Sequence, residues 1–291
     1  MANIPEHIQL LLLNIGYLEM NANWNWKDVY SPFARIYYVT GGEAKTHIGN
    51  RTYILRPNHL YLTPPFVLHT NECSGHFSHY YIHFYETALH KESIFDKYDF
   101  PIELNASVLD LHLSQRLLEI NPNRQLQQLD PSLYDNMPTF SQYIADNNRM
   151  PLHATIETEG ILLQLISKFF EVAKIKSRHT DARVTKCLQF IHENTDKDIS
   201  IKQLADIACI TEDHLIRIFK KETHSTPLKY IHTKKMEKAQ LLLLTTEIPV
   251  RDIALELSMD NTSYFNRIFK SYMGKTPTEY REQAKQGGAT V

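Results

Sequence analysis

Two sets of side chains in this chain of 291 residues have types and spacings that can do chemistry. The first is cationic. Arg217-Ile218-Phe219-Lys220 recurs as Arg267-Ile268-Phe269-Lys270, and Lys221 follows the first copy. On a helix the basic residues of each copy share one face and the apolar residues lie on the other. Two such faces suit a regularly spaced polyanion; the plainer alternative is the solvated surface of a helical bundle. The second set is imidazole: His47, His69, His76, His79 and His83 fall in the first hundred residues. Such groups bind metals or serve ligand hydroxyls. A strand places His79, Tyr81, His83 and Tyr85 on one face and Tyr80, Ile82 and Phe84 on the other. This stretch has no His-x-His pair, and no carboxylate joins the histidine face before Glu86. A pocket for a small molecule is therefore favoured over a metal centre, which stays as the alternative.

No other reactive constellation stands out. There is no Gly-x-Ser-x-Gly elbow and no phosphate-cradling loop, in a chain with only nine glycines. Cys73, Cys187 and Cys209 have neither disulfide-framework nor metal-ligand spacing. Lys plus Arg number 31 and Asp plus Glu 33, so overall charge announces no polyanionic partner. From Asp181 onward, however, the counts are 17 and 15, a small basic bias of the sign a nucleic-acid module needs. The run Leu10 to Leu13 has no basic region before it and does not read as a secretory signal. No stretch reaches the ~18 apolar residues of a membrane span. A soluble, cytoplasmic protein without a cofactor or a membrane partner is expected.

The elements that must position these residues change along the chain. Residues 17–100 read as short strands, among them Ala34–Thr40, Thr52–Leu55, His59–Thr63 and His79–Tyr85. Turn signals recur every ~10 residues, which points to an antiparallel sandwich or small barrel. After Pro101 helical spacing begins, in Ser107–Ile120 and Ile156–Ala173. The stretch between them, with Pro122, Pro131 and Pro138, reads as partly irregular. Ile161, Leu162, Leu165, Ile166, Phe169 and Phe170 form a wide apolar stripe. That stripe is either a dimer helix or a helix packed on its own barrel. Lys174–Asp181 reads as a linker, and helices continue to Glu282.

The last hundred residues repeat themselves. Thr226-Pro227 with Tyr230 recurs as Thr276-Pro277 with Tyr280, and Ile201, Leu204 and Ala205 are echoed by Val250, Ile253 and Ala254. Ser200 reads as an N-cap with Gln203 completing a capping box. A break at Cys209-Ile210 precedes Thr211, the cap of a helix burying Leu215, Ile218 and Phe219. In the second unit a corner at Met259-Asp260-Asn261 precedes a helix burying Phe265, Ile268, Phe269 and Tyr272, which stops at Gly274. Each unit is thus a helix-turn-helix. The helix from Pro227 to about Leu244 joins them, so the second helices can enter major-groove segments about one turn (~34 Å) apart.

On these residues, Asp181 to Glu282 resembles the double helix-turn-helix domain of the AraC/XylS family of bacterial transcription regulators. The strand-rich part resembles that family's cupin-type effector domain more loosely. The resemblance implies base-facing positions at Asp213, Ile216 and Arg217, with His214 nearby, and at Ser263, Tyr264 and Arg267. Arginine can pair with guanine O6 and N7, Asp213 can accept from cytosine N4, and Ile216 can touch a thymine methyl. Lys220, Lys221 and Lys270 are assigned to phosphates. Two structural alternatives stay open: Arg217 or Arg267 pairs with an acid inside the domain, and Tyr264 is partly core. Matching the Pro64-Pro65 corner and the strand ending at Phe84 to the arabinose-responsive branch puts His79 and Tyr81 at ligand contacts. His69 and Thr70 fall near another. Gly41 stands where that branch has a ligand-binding arginine. Trp24, Trp26, Arg35 and Tyr37 are further candidates for the pocket wall, as is His83; the alternative is that these aromatics fill the barrel.

The expected protein is α+β, with a cupin-like antiparallel β-barrel over 1–100 that senses a small molecule such as a sugar. A helical dimerisation or coupling segment spans 101–180, and an all-α double helix-turn-helix spans 181–291. Its expected partners are double-stranded DNA, the effector, a second copy of the chain and RNA polymerase, and its expected role is an activator's rather than an enzyme's. The alternatives are a metal-dependent cupin enzyme fused to a helical module, and an architectural DNA-binding protein without an effector.

Overall fold

The computed structural model describes residues 8–87, 93–134, 137–176 and 181–286. The strands β1 (Leu10–Asn21), β2 (Trp26–Val29), β3 (Ala34–Gly42) and β4 (Ala44–Ile48) come first. β5 (Arg51–Leu55), β6 (His59–Thr63), β7 (His69–Glu72) and β8 (His76–Glu86) follow. A short helix α1 (Ile94–Lys97) precedes β9 (Tyr98–Asp99) and β10 (Glu103–Asn105). Next are α2 (Val108–Ile120), α3 (Pro131–Tyr134), α4 (Met137–Arg149), α5 (Leu152–Val172) and β11 (Lys174–Ile175). The chain continues through α6 (Ala182–Glu193), α7 (Ile201–Ala208), α8 (Glu212–Thr223) and α9 (Pro227–Thr245). It ends in α10 (Val250–Glu256), α11 (Thr262–Met273) and α12 (Pro277–Gln286). Contacts divide it into two units, Met1–Thr87 with Tyr98–Lys174, and Ala88–Lys97 with Ile175–Val291. Of the expected linker, 177–180 lie outside the described residues.

In the first unit β1 to β8 and β10 form two antiparallel sheets, ordered β1-β8-β3-β6-β10 and β2-β7-β4-β5. Of the expected antiparallel sandwich or cupin-like barrel, the described strands form the two sheets without closing them into a barrel. The chain changes sheet at the corner between β3 and β4, where Gly42 has φ +71 and a Cβ would meet the His76 carbonyl oxygen at 1.9 Å. Only glycine fits so close to backbone. One core cluster draws on both sheets, with Met20, Trp24, Tyr37, Leu55, Phe77 and Tyr81.

The leucine run is the start of β1. Leu10, Leu12 and Leu13 are all buried, because α4 and α5 pack on this strand opposite the sheet core. Its register slips between Leu12 and Asn14. The Leu12 carbonyl released there accepts from Arg124 at 3.2 Å and from Asn147 at 2.9 Å, so the bulge leaves no orphaned acceptor. On α5, Ile161, Leu162, Leu165, Ile166 and Phe169 are buried in this same unit. The apolar stripe therefore packs on its own domain and is not a free dimer face. The proline-bearing stretch is more ordered than expected, since α4 starts with Pro138 in its first turn, where a missing N–H costs nothing.

In the second unit two helix-turn-helix pairs, α7–α8 and α10–α11, flank α9, each on its own core. The caps fall where the sequence called for them, but of the capping box expected at Ser200 only the bond from the Gln203 amide forms among the described residues. Ser200 accepts from Gln203 N, Thr211 from His214 N and Thr226 from Lys229 N, with Pro227 opening α9. Asn261 caps α11 through Tyr264 N, and α11 ends on left-handed Gly274.

Candidate nucleic-acid interface and sensor pocket

The two corners are built alike. Cys209 and Ser258 both take left-handed backbone, with φ 54 and 48. The next amide then closes on a small residue of the first helix: Ile210 N on Ala205 O at 3.0 Å, Met259 N on Ala254 O at 2.8 Å. Asp260 is an extra residue in the second corner, so equivalent positions are 49 apart before it and 50 apart after it. Each corner turns the apolar face of α8 or α11 inward: Leu215, Phe219, Phe265 and Phe269 are all fully buried.

The opposite faces carry the expected DNA contacts. On α8, Asp213, Ile216, Arg217, Lys220 and Lys221 are exposed and His214 is half-buried. On α11, Ser263, Arg267 and Lys270 are exposed and Tyr264 is half-buried. Among the described residues neither Arg217 nor Arg267 makes an ion pair, and both side chains are exposed. Tyr264 does two things at once. Its ring packs on the second core and its hydroxyl meets His232 Nε2 at 3.3 Å, while the Arg267 guanidinium lies 5.3 Å over the ring. The ring thus holds Arg267 in place. Asn266, at the position equivalent to Ile216, was not foreseen. Its Oδ1 is buried without a partner among the described residues, and the fifty-residue repeat was the signal that could have found it.

The two pairs are tied to each other. Lys235 on α9 is 4% exposed and donates to Lys197 O at 2.8 Å and to the Leu257 carbonyl. Burial pushes its pKa down, against the pull of Asp198 and Asp196. Ser258 Oγ donates to Asp196 O at 2.6 Å, and Tyr272 OH to Lys229 O at 3.1 Å. A buried ammonium shared between carbonyls of the two halves ties the two helix-turn-helix pairs together.

In the first unit, Trp24, Trp26, Arg35, Tyr37, Tyr81 and His83 converge on one cavity of about 20 Å³, covered by Leu126, Leu129, Pro131 and Tyr134. Tyr81 OH accepts from Leu126 N at 2.8 Å, which ties the cover to the sheet. Arg35 is 1% exposed and donates to Ser31 Oγ at 2.6 Å. Burial, then Arg35, holds His83 well below the usual imidazole range, and both its ring nitrogens are without partners among the described residues. The same two causes bring His69 down to about 4. Other candidates lie elsewhere. His79 is stacked on Phe77 at 4.5 Å and flanked by Trp24 and Tyr37; burial lowers it to about 3. It fills the core. His69 lies beside the cavity rather than in its wall. Thr70 lines a separate open groove with Lys27, Glu43 and Lys45, and accepts from Asp28 N at 3.2 Å. Among the described residues no three His, Cys, Asp or Glu side chains are grouped to hold a metal ion.

The comparisons agree with this geometry. A family profile described as "Helix-turn-helix domain" matches residues 204–283, and one described as "AraC-like ligand binding domain" matches residues 16–130. The xylose operon regulatory protein of Escherichia coli K12 is 31% identical over 137 residues, 45% of this chain and 35% of that protein. The chain thus matches about a third of the length of that curated relative. The HTH-type transcriptional regulator YisR of Bacillus subtilis is 24% identical over 270 residues, 88% of each chain. Among solved structures, the C-terminal domain of the two-component response regulator yesN from Fusobacterium nucleatum is 34% identical, covering 33% of this chain and 93% of that one with a TM-score of 0.32. Residues 16–130 and 204–283 thus match the two domain families whose combination the AraC/XylS resemblance implies.

Proposed function

We propose that this protein is a sequence-specific DNA-binding transcription regulator controlled by a small molecule. The observation that carries the reading is the duplicated helix-turn-helix, with an exposed, unpaired arginine at the same position of each second helix. Arg217 and Arg267 read guanines, Asp213 and Ile216 read a neighbouring cytosine and thymine, and Ser263 and Tyr264 flank the second contact. Lys220, Lys221 and Lys270 meet phosphates and set register. The aromatic cavity with Arg35, Tyr81 and His83 takes the effector once its cover of Leu126, Leu129, Pro131 and Tyr134 moves aside, since about 20 Å³ holds no more than a water molecule. A sugar suits it, because rings stack on a sugar face while imidazole and guanidinium serve hydroxyls.

Two copies associate through the outer face of α2 and α5, where Leu152 is 75% and Ile156 62% exposed. Effector binding favours one spacing of the paired DNA-binding units, for which it needs different affinities for the two arrangements. The promoter-bound protein acts inside the cell, with RNA polymerase as the partner that reads the outcome. Sequencing genomic fragments captured by the purified protein tests the DNA reading: an enriched motif with two elements about one helical turn apart is expected, and no enrichment refutes it. Thermal-shift titration with a panel of sugars tests the sensor; a Tm that none of them raises argues against a sugar.

A further inference from the structure

The two second helices are copies in position but not in side chain. At a spacing of fifty residues, Asp213, Ile216, Arg217 and Lys220 of α8 correspond to Ser263, Asn266, Arg267 and Lys270 of α11. Residues three and four apart on a helix are neighbours, so each set of four forms one continuous patch. In α8 the apolar member of that patch is Ile216, 37% exposed. In α11 the same place holds an amide, between Ser263 and Lys270 along the face and beside Arg267.

That amide is idle in the free protein. Asn266 is half-buried and makes no hydrogen bond among the described residues, and its Oδ1 is shielded from solvent. Polar side chains near it are used: Asn261 Oδ1 accepts from Tyr264 N at 2.9 Å, and Ser271 Oγ donates to Ile268 O at 2.6 Å. A shielded acceptor without a donor is unfavourable, and asparagine is a poor helix former. Packing does not call for it either, since Phe265 and Phe269 fill the core beneath α11. Because no bond holds the amide, it can swing onto a base edge without giving one up. One base matches it in the major groove: Nδ2 donates to adenine N7 while Oδ1 accepts from adenine N6.

We propose that Asn266 reads an adenine beside the guanine of Arg267. The two operator elements then differ where the two helices do, with thymine at Ile216 and adenine at Asn266. This rests on the DNA-reading role proposed above and adds to it a base that the role left unassigned.

The test is selection from a pool of random-sequence duplexes by the full chain. The native chain is expected to enrich a two-element motif in which adenine, next to the guanine of one element, is preferred about 5- to 150-fold. Asn266→Ala should remove the preference at that position alone and keep the guanine; Asn266→Ile should turn it to thymine. A native motif without adenine there, or an adenine that survives Asn266→Ala, overturns the proposal. Loss of the guanine together with the adenine also overturns it, because Asn266 then supports the helix rather than reading a base. A native chain that enriches no motif at all refutes the DNA reading itself, a different result from a motif indifferent to position 266.

Discussion

The division of labour on α11 leads to the sharpest prediction. Arg267 and Lys270 are one turn apart, both exposed and both cationic, yet only Arg267 is braced, with its guanidinium 5.3 Å over the Tyr264 ring. A bidentate arginine–guanine pair is worth about 1–3 kcal/mol of discrimination. Arg267→Ala is therefore expected to lose about 5- to 150-fold preference for guanine at a single operator position. Bracing adds about 0.5–1 kcal/mol at an exposed site. The position equivalent to Tyr264 in the first unit is His214, so Arg217→Ala should fall lower in the same range. Lys270→Ala should instead weaken binding to every sequence alike and reduce the slope of log K against log salt by about 0.9. Fluorescence anisotropy with the captured operator and its single-base-pair variants, at several salt concentrations, separates the two. If both substitutions lower affinity uniformly and flatten the salt dependence equally, the assignment of Arg267 to a base is wrong.

Three further outcomes are expected. Lys235→Met leaves the Lys197 and Leu257 carbonyls without their shared donor, and should cost about 1–3 kcal/mol in denaturant unfolding; an unchanged midpoint would show that water replaces the ammonium. His69 and His79 titrate near 4 and 3 in the fold against 6.5 unfolded, so the unfolded chain binds more protons between those values. Stability should therefore fall as pH drops from about 6.5 towards 4, by up to about 1.4 kcal/mol per pH unit for each group, and His79→Phe should flatten the Tm profile. Ile156→Glu places a charge on the outer face of α5 and should yield a monomer in sedimentation without lowering Tm; persistence of a dimer would move the interface elsewhere.

What was legible in the sequence follows from how locally each element is specified. The double helix-turn-helix is written in short-range signals: Ser200, Thr211, Thr226 and Asn261 each bond the amide three residues on, and Pro227 and Gly274 mark a start and a stop. Strand β1 was not assigned from Leu10, because a strand covered on both faces does not alternate. The partners of the α5 stripe were equally out of reach, since a buried stripe looks the same whether it meets its own domain or a second copy. In the pocket, residue type and strand parity placed Tyr81 and His83 on one face. Neither could show that His79, on that same face, stacks on Phe77, nor that Leu126 and Tyr134 close the cavity from more than forty residues away.

On the proposed DNA-reading role, the fastening of the two helix-turn-helix pairs by Lys235 and Ser258 constrains the promoters such a protein can serve. Inserting one base pair between two operator elements turns one about 35° around the axis and carries it about 3.4 Å further along. Independently hinged readers would absorb that change. Here the misfit falls on the duplex, which must twist or bend to meet both helices. On that reading its promoters should share one spacing and place easily kinked steps, such as TA or CA, in the gap between the two contacts.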